Sequence, residues 1–531
     1  MLISRRKRFW QRLPIQLRPH IFPSAISLPA LPVIGFLLVC FASLYLQLFL
    51  LPQTPLALPG DGTIFINNAL RMLDGEVIYR DFFQLTTPGT ELLFFICFRL
   101  FGAGVAVYNV IVMLTGLSLA ALNVMIARRV ISGWLSLLPT LLLLTFQFRF
   151  ERTGSHHWFS MLLVMAALAV MIERRTARRL MAAGALCGLA ACFTQHRGVL
   201  ALAGLAAFVV WEQRRMKSGW RALLQAEASL MAAFSCVAIT ALSYFISQAG
   251  LRRFIECTII FPAKYYSGTY WMNNPGVYLS DLPLLAQGSV FVGAVRAFTY
   301  ALVPLIYLVW WIHYRLRRRM QPDEKWDRLM LLNFAGVFLF LGVASAPGWY
   351  RLAHVSQPGL ILLGWLLSQP DRWRRVVAML LAVTAVLTLL RAPWVQQRQV
   401  RRELLMPAGR VSFQSSESFR RYAWVAQQTR PGDYFFAPMT DFYFLGRLRN
   451  PAAVQFLLNT EYTRPAHVRS VIDGLERHQV RFVYWQQALD HAPGSPLPPG
   501  DNLEPLRAYL RRHYHLVEIF SDADYMLERN Q

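Results

Sequence analysis

The run LPVIGFLLVCFASLYLQLFLL, Leu31 to Leu51, decides how this chain is read. It carries no charge, and at 1.5 Å per residue it is long enough to cross about 30 Å of hydrocarbon. The basic stretch Arg5-Arg6-Lys7-Arg8 precedes it, as in a signal peptide. The run is longer than a signal core, and no convincing small-residue cleavage site follows. It therefore reads as an uncleaved anchor.

Further apolar runs lie near 105–127, 132–148, 156–173, 179–194, 197–212, 223–249, 291–313, 328–346, 352–369 and 373–391. With the first they make about eleven spans. The composition agrees. Of 531 residues, 55% are hydrophobic and only 16% charged. An ordinary soluble domain has roughly 45–50% and 25%. This excludes a disordered chain, a coiled coil, a collagen-like fibre and a simple soluble enzyme. A net charge of +25 would suggest nucleic acid in a soluble protein. Here the charge sits in short clusters between apolar runs, which marks membrane topology, so no nucleic-acid partner is expected. The six cysteines show no C-x-x-C and no metal-ligand spacing, so neither a disulfide framework nor structural zinc is expected.

Orientation follows from the arginines. Alternate connections carry Arg128-Arg129, Arg174-Arg175 with Arg178-Arg179, Arg214-Arg215 with Lys217, Arg315 with Arg317 to Arg319, and Arg372 with Arg374-Arg375. All fall on the cytoplasmic side if the N-terminus does. Three segments then face outward: a first loop over 52–104, a second over 250–290 and a tail over 392–531. In the first loop, Asp61 to Leu73 has apolar residues at helical spacing, closed by Asp74-Gly75. Glu91 to Phe101 is a short apolar helix expected at the membrane surface. In the second, Lys264-Tyr265-Tyr266 and Tyr270-Trp271, with Asn273-Asn274 beyond, read as an aromatic belt or as sugar-stacking residues. The tail turns polar. Helical stretches near 417–428 and 466–478, each followed by a strand-like run (Tyr434-Phe435-Phe436; Val480 to Trp485), read as an α/β domain.

Chemistry-bearing residues gather in the outer segments. Asp61 stands where the chain leaves the first span, as a helix N-cap or a functional carboxylate. Asp81, in Tyr79-Arg80-Asp81-Phe82-Phe83, reads likewise as a loop carboxylate or a functional one. Arg149, Arg152, His156 and His157 share a short outer loop. There the paired histidines read as interfacial, as sugar or phosphate contacts, or as metal ligands, with the adjacent Glu151 poorly directed for a metal. His196-Arg197 ends one span, and Arg351 and His354 bracket the start of another. For these the alternatives are snorkelling arginines and interfacial histidines.

The string Gly60-Asp61 … Ala69-Leu70 … Asp74-Gly75 … Ile78-Tyr79-Arg80-Asp81-Phe82 … Pro88 … Leu100-Phe101-Gly102 resembles the first outer loop of the GT-C glycosyltransferases. More narrowly, it is similar to the bacterial relatives of the protein O-mannosyltransferases and of the lipid A aminoarabinose transferase. Gly184 to Arg197 resembles the family's glycine-rich span, Arg351-Leu352-Ala353-His354 with Pro358 a late segment, and Thr429 to Asp433 a strand start in the outer tail. Members often carry a second acid next to the first; here Gly62 follows Asp61.

The resemblance implies a polytopic α-helical membrane protein of GT-C type (1–391) with a C-terminal extracytoplasmic α/β domain (392–531). It implies a hexosyl or pentosyl transferase of the bacterial inner membrane, taking a polyprenyl-phosphate sugar donor and a lipid, glycan or protein acceptor. Asp61 would be the base, with Asp81 the next choice. Arg197, His196, Arg351 and His354 would hold the donor phosphate, and Tyr79, Arg80, His156 and His157 would contact substrate. No residue is assigned to a metal, and a divalent metal stays open as cofactor.

The chemistry suits these residue types. A polyprenyl phosphate leaves with delocalised charge, so it needs cations more than a general acid. The acceptor hydroxyl is a poor nucleophile, and a carboxylate is the economical base. One base facing one basic cluster implies direct displacement with inversion. The rival readings are a transporter or lipid flippase, and a catalytically silent scaffold. Clean spans with charge gathered at their edges argue against transport.

Overall fold

The computed structural model describes residues 28–266, 276, 278, 289–319, 325–399, 402–491, 496–520 and 523–530. Arg5 to Arg8, Tyr270, Trp271, Asn273 and Asn274 lie outside them. The first apolar run forms α1 (Ala30–Leu48), which passes into a short antiparallel hairpin, β1 (Phe49–Leu50) and β2 (Thr54–Pro55). The loop that follows holds α2 (Gly62–Leu73) and α3 (Gly89–Phe101). Then follow α4 (Val105–Ala127), α5 (Gly133–Phe150, with a π-turn at Leu143–Gln147), α6 (His156–Met171), α7 (Ala177–Phe193), α8 (Gln195–Arg215) and α9 (Trp220–Ala249). The helical part closes with α10 (Val290–Arg317), α11 (Trp326–Leu341), α12 (Trp349–Val355), α13 (Gln357–Ser368) and α14 (Arg372–Arg398).

Each apolar run contains a helix, as it must where hydrocarbon offers backbone groups no other partner. Among the described residues six of them, α1, α4, α5, α9, α10 and α14, are long and apolar enough to cross a membrane. The remaining runs form helices that are shorter or less apolar. The molecule is a polytopic helical membrane protein. α3 covers the expected short apolar helix, with Leu100 and Phe101 exposed. α14 continues past 391, so the expected division of the chain falls inside that helix.

Gly184 and Gly188 set how closely the bundle packs. A Cβ there would stand 2.1 and 2.6 Å from the carbonyl oxygens of Leu230 and Phe234. Small residues four apart let α7 lie directly on the backbone of α9. Ion pairs gather at the far ends of the helices: Arg129 with Glu173, and Arg175 with both Glu212 and Asp327.

The tail begins with an antiparallel hairpin, β3 (Arg402–Met406) and β4 (Gly409–Phe413). It continues with α15 (Ser416–Gln428), β5 (Phe435–Phe436), α16 (Asp441–Gly446), α17 (Pro465–Arg477), β6 (Phe482–Trp485), α18 (Glu504–His513), β7 (Tyr514–Ile519) and β8 (Tyr525–Arg529). The sheet runs β5-β6-β8-β7, with only the first pair parallel. Backbone bonds join the tail to the first loop and to α4: Ala57 N–H to Ser412 O at 2.9 Å and Val105 N–H to Ala408 O at 3.0 Å. Tyr265 of the second outer loop packs under Arg464, whose guanidinium lies 4.0 Å from the ring centroid. Tyr266 beside it packs on Tyr462 of the tail at 5.9 Å between ring centroids.

Candidate functional site

Asp61 occupies the N-cap position of α2, yet its side chain makes no capping hydrogen bond. The carboxylate is not spent on the helix. It is still reached by solvent. Protein crowds it closely enough, however, that burial raises its pKa above the usual carboxylate range, with the charge of Arg351 opposing.

A second carboxylate stands near it. Burial pushes Glu151 up to about 7, and the charge of Asp61 adds to the effect. The loop that carries Glu151 is pinned at three points. Arg152 donates to the Gln47 carbonyl at 2.8 Å, Gly154 N–H to the Tyr108 hydroxyl at 3.0 Å, and Trp158 Nε1 to the Glu151 carbonyl at 2.7 Å. Position 62 could not have supplied this acid. A Cβ on Gly62 would lie 2.0 Å from the Tyr108 hydroxyl.

The basic side is drawn from the starts of α6 and α8 and from the short helix α12. At α6, His156 and His157 stack at 3.9 Å between ring centroids, and Phe65 of α2 packs on His156 at 5.3 Å. At α8, buried Arg197 donates to the His157 carbonyl at 2.6 Å and to Ser160 Oγ at 3.0 Å, and reaches His157 Nδ1 at 3.2 Å. At α12, fully buried His354 packs against His157 (4.7 Å) and Trp158 (4.3 Å). Arg351 is close enough to act electrostatically on Asp61 and on His156, His157, His196 and His354. Among the described residues no three His, Cys, Asp or Glu side chains gather at metal-binding spacing.

Tyr79, Arg80 and Asp81 are held elsewhere. Asp81 accepts from Val77 N–H at 2.7 Å and pairs with Arg80 at 2.8 Å, which together hold its pKa below the usual range, Arg80 contributing most. Arg80 also donates to Gln248 Oε1 at 3.0 Å, at the end of α9. Buried Tyr79 donates to the Thr86 carbonyl at 2.6 Å. Among the described residues these contacts reach neither Asp61 nor the histidines. They close a turn and fasten it to α9.

A cavity of about 440 Å³ is lined by Glu151, while Asp61 itself, Arg351 and the histidines do not line it. Gly60 and Thr63, on either side of Asp61, line it together with Glu151 and Arg152. The tail supplies the facing wall, including Arg421 and Asp441. Thr63 Oγ1 donates to Asp441 Oδ1 at 3.3 Å, tying the start of α2 to that wall. Burial raises the Asp441 carboxyl, while Thr63 and Arg421 hold it down. In sequence Glu151 reads only as poorly directed for a metal, and Asp441 and Arg421 carry no signal at all. Only their meeting in space marks them.

No family model matches the sequence, and no curated protein matches it either. Solved structures do. ArnT from Cupriavidus metallidurans in the apo state superposes with a TM-score of 0.58 at 14% identity, over 93% of this chain and 97% of that one. ArnT from the same organism bound to undecaprenyl phosphate gives 0.55 at 13% identity, over 94% and 97%. At such identities the likeness speaks for architecture: over nearly its whole length this chain has the fold of ArnT.

Proposed function

We propose that the chain is a membrane glycosyltransferase that moves a sugar from a polyprenyl-phosphate donor to an acceptor hydroxyl. One observation carries the reading: the uncommitted Asp61 carboxylate lies within electrostatic reach of Arg351 and of Glu151, beside a cavity walled by the tail. The ArnT structure with undecaprenyl phosphate bound supports the class of donor.

In this reading the N-terminus and the arginine clusters are cytoplasmic and the chain crosses about eleven times. Residues 402–530 then form an extracytoplasmic α/β domain. Two neighbouring carboxylates resist ionising together. Of the two, Asp61 is the one whose charge Arg351 favours, while Glu151 feels only the opposing charge of Asp61, so Asp61 is the base in this reading. It takes the acceptor's proton as the hydroxyl attacks the anomeric carbon. The lipid phosphate departs toward Arg351, with His196, His156 and His157 close by. Arg197 is built into the first turn of α6 and positions His157. A single displacement inverts the anomeric configuration.

The test is transfer from polyprenyl-phosphate sugars by the Asp61→Asn protein in proteoliposomes. A general base contributes roughly 10²–10⁴-fold, and a loss of that order is expected. Undiminished transfer removes Asp61 from the mechanism. Substrate counterflow with no transfer by the unmodified protein would favour the transporter reading.

A further inference from the structure

A second polar cavity lies at the other end of the bundle. α8 starts at the histidine cluster and runs 21 residues, about 30 Å at 1.5 Å per residue. Its last turn opens into a cavity of about 600 Å³. Four arginines line it: Arg214 and Arg215 at the end of α8, Arg318 and Arg319 just past α10. The other lining residues are aromatic, Trp211, Tyr314 and Trp326.

The rings make a fixed floor. Tyr314 and Trp326 are buried and meet edge to face at 5.3 Å, and Trp211 lies 6.5 Å from Tyr314. Two guanidinium groups rest on this floor, Arg215 at 5.5 Å from the Trp211 ring and Arg318 at 5.5 Å from the Tyr314 ring. A guanidinium laid on a ring is oriented in advance and keeps its edge donors for a ligand. Among the described residues the neighbouring acids Glu212 and Asp327 are drawn away, both pairing with Arg175 at 3.3 and 2.9 Å. Among the described residues no carboxylate lines the cavity.

A positive-inside bias alone would scatter arginines over exposed surface. Here four exposed arginines are gathered around one concavity with an aromatic base. Arginine forks match phosphate oxygens in pairs. Lipid is at hand, since Leu308, Ile312 and Leu316 on α10 are exposed apolar residues. Basic pockets between span ends on the cytoplasmic side are suited to anionic headgroups. We propose that this cavity binds the phosphate of an anionic phospholipid in the membrane leaflet opposite the Asp61 site. The site is independent of glycosyl transfer and stands on the membrane fold alone.

The test uses the full chain purified in detergent, with native mass spectrometry reading retention of phosphatidylglycerol and of phosphatidylcholine. Selective retention of phosphatidylglycerol is expected. It should fall at least 10-fold in the Arg215→Gln/Arg318→Gln protein and survive millimolar inorganic phosphate. Because those arginines pack on rings, Arg214→Gln/Arg319→Gln is made alongside. Its side chains are exposed, and it should show the same direction of change with an unaltered melting temperature. Equal retention of both lipids by the unmodified chain would overturn the proposal. So would unchanged retention in both double variants, or displacement by inorganic phosphate, which would mark a soluble anion as the ligand.

Discussion

Gly62 lies directly beneath Tyr108: a Cβ on the glycine would stand 2.0 Å from the tyrosine hydroxyl. That hydroxyl accepts the Gly154 N–H at 3.0 Å. One phenol thereby joins the start of α2, the span α4 and the loop of Glu151. Asp61 precedes the glycine, and this three-way contact is what makes the two acids neighbours.

Gly62→Ala should therefore cost about 1–3 kcal/mol, the usual range for overpacking a filled site, and should weaken transfer by displacing Asp61. Tyr108→Phe in the same protein removes the atom that is struck, and should restore part of the melting temperature. Thermal unfolding of the two single variants and the double variant measures the coupling.

Glu151 governs the pH profile. Its carboxyl, raised to about 7 by burial and by Asp61, changes charge across neutral pH. The rate of transfer should show an inflection near pH 7 that disappears in Glu151→Gln. An inflection retained in that variant would assign the titration to another group.

Glu91 makes a prediction about stability. It is wholly buried, accepts from Gln84 at 2.6 Å and Asn68 at 3.2 Å, and is pushed up to about 7 by burial. The folded protein thus holds this proton more tightly than the unfolded chain does. The stabilisation is complete below the ordinary carboxylate range and is lost as pH rises through about 7. Glu91→Gln should match the parent melting temperature at pH 5 and exceed it at pH 8.5.

The two arginines of the basic side should separate by readout. Arg197 is buried and fills acceptors on α6. Arg197→Ala leaves them unpaired, which costs about 1–3 kcal/mol, and a lowered melting temperature should accompany lost transfer. Arg351 is only half-buried, so Arg351→Gln should weaken transfer at least 10-fold with little change in melting temperature.

Much of this architecture is legible in single residues and their neighbours. Leu31 to Leu51 reads as a membrane span, and Asp61 to Leu73 as a helix closed by Asp74-Gly75, because apolar runs and helical spacing are local properties. Asp61 and Asp81 look alike in sequence, each a carboxylate in the same loop. The fold separates them. Asp81 is taken up by Val77 N–H and Arg80 in its own turn, whereas Asp61 accepts no capping bond.

The sequence by itself determined the class of the molecule and the order of its helices, because hydrocarbon demands that backbone groups be satisfied within each segment. Only the tertiary structure decided which acids meet. Asp61 and Glu151 belong to different loops, and Asp441 to the tail. They come together through Tyr108, Arg152 and Thr63, contacts between distant segments that leave no periodic trace in the chain.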